Sequence, residues 1–170
     1  MDLTRLFAEL EGRLEAQIRE ESREEIGEFA EAELTSITLA ARLRAQVDQT
    51  ITVQSSAGET LTGIVRDVRA QALVLSTLRG DSIVHIEACA SITPLGRAVP
   101  HSSQVESRLT FRHVLRQIAR ERMRVTVSAG QSFIVGYIVA VYRDHIDVRA
   151  DTGVISVAIC HIFAVTQTGI

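Results

Sequence analysis

From residue 36 onward the apolar positions follow two rhythms. In ITLAARLRAQ (37–46) and LTFRHVLRQI (109–118) they recur every three or four residues, the spacing of a helix with one buried side. Leu109, Val114, Leu115 and Ile118 gather on one side of the second stretch, and Thr110 or Ser107 stands where a cap is needed. After each helix the period shortens to two. Ile51 and Val53, Ile64 and the following Val68, Leu73 and Leu75, and Val84, Ile86 and Ile92 predict short strands with one buried face. Gly58, Gly80, Gly130 and Gly153 lie in the gaps, where tight turns need backbone freedom.

The two stretches are in phase with each other. Thr38 aligns with Thr110, Leu43 with Leu115 and Arg44 with Arg116. ITVQSSAGETLTGIV (51–65) aligns with VTVSAGQSFIVGYIV (125–139), one residue shorter in the turn, so that Gly63 meets Gly136 and Gly80 meets Gly153. VHIEACASI (84–92) aligns with VAICHIFAV (157–165). The pattern predicts a duplication: an acidic helical segment (1–35), a first unit (36–97), a linker (98–105) and a second unit (106–170). A helix followed by about five short strands in some 60 residues implies a strongly bent sheet closing on itself, because long open edges invite aggregation. The fold class expected is α+β, mainly β. Pro94 and Pro100 bracket LGRAV at the end of the first unit, where they cannot continue a ladder.

Composition adds a polarity. The net charge is −3 over 170 residues, but residues 1–34 hold 11 acidic residues against four arginines, a net of −7. The rest of the chain carries 10 acidic residues and 14 arginines, a net of +4, and there is no lysine. Leu3, Phe7, Leu10, Leu14 and Ile18 form a heptad-like stripe in the acidic segment, which fits a helix packed on its own units or one in an intermolecular bundle. No stretch reaches the roughly 20 apolar residues of a membrane span. Cys89 and Cys160 form no CxxC pair. A reduced, cytoplasmic protein is expected.

The helix, the bent strands and two short motifs together resemble the Sm-like fold. LRGDSIVHIEA (78–88) looks like the second Sm motif, in which Arg and Gly precede alternating apolar positions, and GETLTGIVRDVRAQALVL (58–75) looks like the first. The likeness covers 36–97 well and 109–166 more loosely, and other SH3-like small barrels share its outline. It implies rings and single-stranded RNA binding through an Asp, an Asn and the Arg of the two motifs. Carried over residue by residue, Arg79 matches the arginine, whereas Asp67 stands two places early and Ala72 replaces the Asn. In the second unit Asp144 and His145 stand near the first-motif positions, and Thr152 replaces the arginine. The inherited base-reading pocket is incomplete in both units.

In and just after the stretch that resembles the second Sm motif, Val84, Ile86, Ala88, Ala90 and Ile92 are expected inward, with His85, Glu87, Cys89 and Ser91 outward. A metal on His85, Glu87 and Cys89 is disfavoured, because three ligands in a row wrap an ion poorly. His161 falls on the apolar face of the last strand and is expected to be buried. Asp144, His145 and Asp147 lack a partner nucleophile, and no hydrolase, phosphate-loop or zinc-protease motif is present. The unusual feature is Arg108, Arg112, Arg116 and Arg120, spaced by four on the second helix, with Arg97, Arg122 and Arg124 nearby. The sequence therefore predicts a non-enzymatic interaction or assembly module without cofactor, metal or small-molecule substrate. Its contacts would be Arg79, Arg108, Arg112, Arg116, Arg120 and Arg124, meeting an acidic protein surface or the protein itself. The alternative is an Sm-like nucleic-acid-binding regulator, disfavoured by 4% aromatic content without tryptophan.

Overall fold

The computed structural model describes residues 34–97 and 109–168, together with residues 16, 19, 20, 23 and 31. The expected linker and Arg108 lie outside the described residues, as does most of the acidic segment; Ala16, Arg19, Glu20, Arg23 and Glu31 are helical. Residues 1–37 form one compact unit and residues 38–170 another.

In the larger unit, helix α1 (Leu39–Arg44) precedes strands β1 (Thr50–Ser55), β2 (Thr60–Val68), β3 (Ala72–Thr77), β4 (Gly80–His85) and β5 (Cys89–Thr93). Helix α2 (Phe111–Arg120) precedes β6 (Arg124–Ala129), β7 (Ser132–Val141), β8 (His145–Ala150), β9 (Gly153–Ala158) and β10 (Ile162–Gln167). Both helices begin at a threonine. Ala41 N–H donates to Thr38 Oγ1 at 3.2 Å, and Thr110 N–H donates to His113 Nδ1 at 3.3 Å. The ten strands make one antiparallel sheet in the order β5-β1-β2-β3-β4-β10-β6-β7-β8-β9. The molecule is mainly β with a few helices.

The order β5-β1-β2-β3-β4 recurs as β10-β6-β7-β8-β9, and the irregularities recur with it. The β2–β3 register shifts between Val65 and Asp67, and the β7–β8 register between Ile138 and Ala140. This bulge explains why Val65, rather than the expected Ile64, is fully buried beside Val68. Gly63 and Gly136 sit where a Cβ would run into the backbone of Ser76 and Arg149, so a neighbouring strand passes too close for any side chain. Gly80 and Gly153 turn the β3–β4 and β8–β9 hairpins at φ of 114° and 123°.

One core gathers Leu43, Ile51, Val53, Val65, Leu73, Leu75, Val84 and Ile86 against α1, and a second gathers Phe111, Leu115, Ile118, Val127, Ile146 and Val148 against α2. Each reaches across the seam. Phe163 and Ala164 of β10 lie in the first core, and Ala72 of β3 lies in the second. Nothing in the sequence pattern announced that exchange.

Candidate functional site

The β4–β10 seam defines the geometry of the site. Ala164, Val165 and Thr166 face Val84, Ile83 and Ser82, and the hydroxyls of Ser82 and Thr166 meet at 2.9 Å. Gln71 ties the halves together at a second point. Its Oε1 accepts from Phe111 N–H at 3.2 Å and its Nε2 donates to Glu87 Oε1 at 2.8 Å. The seam thus joins the fourth strand of one half to the fifth strand of the other. The remaining fifth strand, β5, and the remaining fourth strand, β9, each pair on one side only among the described residues. One chain therefore presents both edge types that make its own seam, one at each end of the sheet.

The free groups on β9 can be assigned by counting. Ile159 N–H donates to Asp144 O at 2.8 Å, so the backbone groups of Val157 and Ile155 turn toward β8 and those of Ser156 turn to the open side. Carrying the seam register over by the 73-residue offset of Gly63 and Gly136 sets Ser156 opposite Ile92, Val157 opposite Ser91 and Ile155 opposite Thr93.

A cleft of about 420 Å³ lies beside the seam, lined by His85, Phe111, Arg112, His113, Arg116 and Arg143 among others. His85 is only 6% exposed and stacks on Phe111, ring centroids 4.4 Å apart and planes 5° from parallel. Burial lowers its pKa, opposed by the Glu87 carboxylate and the Ile162 carbonyl. Its Nδ1 and the Nε of Arg112 are buried without a hydrogen-bond partner among the described residues. Cys89 is half-buried and its pKa is pushed up to about 12 by desolvation, so it supplies no thiolate. Asp144 is held below its usual pKa chiefly by the His145 Nδ1 hydrogen bond of 2.7 Å. Three guanidinium groups, those of Arg112, Arg116 and Arg143, line the cleft and can hold an anion there.

The arginine stripe divides. Arg112 and Arg116 face the cleft, whereas Arg120 lines a groove with Arg122, Tyr137, Val139 and Arg149. Arg124 opens β6 and lies 3.9 Å from Asp151. Arg79 is exposed on the β3–β4 turn and lines a different recess, with Glu59 and Phe133. Asp67 is occupied locally, accepting from Val68 N–H at 2.8 Å and Arg69 Nε at 2.9 Å, and Ala72 is buried in the second core.

Several expectations of inward and outward positions are corrected. Residues 84–92 are not one strand, because a 3-10 turn at Ile86–Ala88 breaks the period of two. His85 lies before that break, at the end of β4, and is buried because Phe111 covers it, while Ala90, skipped at the β5 bulge, is exposed; both are the reverse of the alternation. The matching turn, Ile159–His161, leaves His161 exposed and Ile159 half-buried. Leu109 precedes the second helix and is exposed; Phe111, the residue the period missed, takes its place in the core. Among the described residues no group of three His, Cys, Asp or Glu is placed to hold a metal ion, and no helix is long and apolar enough to cross a membrane.

No protein-family model matches the chain, and no curated protein matches its sequence.

Proposed function

We propose that the protein is a non-enzymatic, cytoplasmic assembly module made of two tandem small barrels of the Sm-like or SH3-like kind, residues 36–97 and 106–170, which associates with further copies of itself. The observation that carries this reading is the open edges that β5 and β9 leave, among the described residues, at opposite ends of a sheet whose central seam is a pairing of the same two strand types. An interface between unlike edges is heterologous, so copies add head to tail and close into a ring or grow into a filament according to the rotation per step. Unpaired N–H and C=O rows are the driving groups. The open contact is weaker than the seam, because Ala90 stands where Phe163 anchors the internal junction. Weaker contacts make association dependent on concentration.

Ser156→Pro tests this. Proline removes the outward donor of β9 and leaves the β8 ladder intact. Sedimentation velocity of the wild type should show multiples of the 18.7 kDa chain that grow with concentration, and the variant should remain monomeric. A wild type that stays monomeric throughout refutes the proposal.

The cleft supports a second reading, nucleic-acid binding, because Arg112, Arg116 and Arg143 gather there with no ion pair among the described residues. Phosphate contacts by three arginines would make affinity fall steeply with salt. Titration of a fluorescent oligonucleotide at two salt levels decides it: tight, salt-sensitive binding lost in Arg112→Glu with Arg116→Glu favours this second reading.

A further inference from the structure

Among the described residues, the outward side of β7 is the strand face with a run of exposed large apolar side chains. Phe133, Val135, Tyr137 and Val139 alternate along it, all exposed, with Phe133 at 62%. The same face of β2, aligned through Gly63 and Gly136, carries Thr60, Thr62, Ile64 and Arg66. There the first half is closed by polar contacts, with Thr52 and Thr62 hydroxyls 2.9 Å apart. An apolar stripe of this length on a sheet face marks a surface that is covered.

Its surroundings are cationic. Tyr137 is opposite Arg124 on one side and Arg149 on the other, and Arg120 and Arg122 line the groove at its end. Among the described residues, only Arg124 of these four has an ion-pair partner, Asp151, which is itself nearly fully exposed. The occupant must therefore offer apolar side chains at regular spacing between carboxylates. An anionic membrane surface would be met against the chain's overall charge of −3, and a nucleic-acid backbone would leave the four apolar side chains uncovered.

Residues 1–34 have the required chemistry, with Leu3, Phe7, Leu10, Leu14 and Ile18 spaced by three and four among 11 acidic residues. We infer that the β7 face, with Arg120, Arg122, Arg124 and Arg149, docks residues 1–34 of a second copy of the chain. This contact goes beyond the strand-edge pairing and uses neither β5 nor β9. Edge pairing extends the sheet; segment docking links copies through the sheet face.

A photoreactive phenylalanine analogue at position 133 of the full chain provides the test. Equal amounts of isotopically heavy and light protein are mixed, illuminated and digested, and the cross-linked peptides are weighed. The expected products join residue 133 to peptides within 1–34, with heavy–light pairs prominent. Arg122→Glu with Arg149→Glu should lower their yield about tenfold, and Glu24→Arg with Glu25→Arg in the donor copy should restore part of it. In the Ser156→Pro background the cross-link should persist, which separates failure of this inference from failure of edge pairing. Cross-links to 1–34 without heavy–light pairs, cross-links to other segments, or adducts with co-purified lipid or nucleic acid overturn it.

Discussion

The two halves of the sheet share a skeleton and differ in what they cover. At the seam, the register shift in β10 skips Phe163, which is turned into the first core and is 2% exposed. In β5 the same shift skips Ala90, which lies in solvent at the end of the sheet. Identical backbone irregularities thus build a permanent junction in one place and an open edge in the other. The side chain at the bulge differs with them: a buried phenylalanine at the junction, an exposed alanine at the edge. The contrast between the apolar face of β7 and the threonine-lined face of β2 makes the same point: backbone geometry repeats while surface chemistry diverges.

The largest effect should come from removing the seam anchor. Phe163→Ala should destabilise the chain by about 3–5 kcal/mol, as for other buried aromatic truncations, whereas Ala90→Ser should change stability by less than about 0.5 kcal/mol. Denaturant unfolding of both variants measures the difference. Similar losses would mean that the seam is not held as described.

The strand glycines probe what the halves have in common. Gly63→Ala and Gly136→Ala each set a Cβ against neighbouring backbone, and each should cost about 1–3 kcal/mol, the usual range for overpacking. A marked loss at one site only would break the equivalence of β2 and β7. Thermal unfolding suffices as a readout.

A smaller effect concerns His85, whose counterpart Ala158 has no ring to titrate. Burial lowers its pKa in the folded state, so the unfolded chain binds the proton more readily. Its contribution to stability is complete above the unfolded pKa of about 6.5 and declines as pH falls from there toward the lower folded value. His85→Phe should flatten that part of the stability–pH curve. An unchanged slope would show that the acid sensitivity arises elsewhere.

Much of this architecture was legible from the chain. The period of two located the strands, glycine spacing located the hairpins, and Thr110, one of the two cap positions read from the sequence, opens the second helix. Period alone fails where the backbone leaves it or a distant element covers it: Phe111 buries His85, the β5 bulge exposes Ala90, the 3-10 turn after β9 exposes His161, and the bulge after Val65 displaced Ile64. The seam was not legible at all. Antiparallel pairing between β4 and β10 depends on contacts some 80 residues apart, and one strand sequence does not state its distant partner. Nor could spacing by four show that Arg112 and Arg116 face a cleft while Arg120 faces the β7 groove, because that depends on what packs beside each turn of α2.

The most direct test of the central claim is a covalent trap for the proposed register. Thr93 and Ile155 correspond to the seam pair Thr166 and Ser82, whose hydroxyls lie 2.9 Å apart, so cysteines there would be close enough to join across two copies. The full chain carrying Thr93→Cys and Ile155→Cys, with the exposed Cys160 changed to Ser, is oxidised mildly and run without reductant. A ladder at multiples of 18.7 kDa, collapsing to one band with reductant and absent from either single-cysteine variant, is the predicted result. A single monomer band under oxidation, or the same ladder from Thr93→Cys alone, would contradict head-to-tail pairing of β5 with β9.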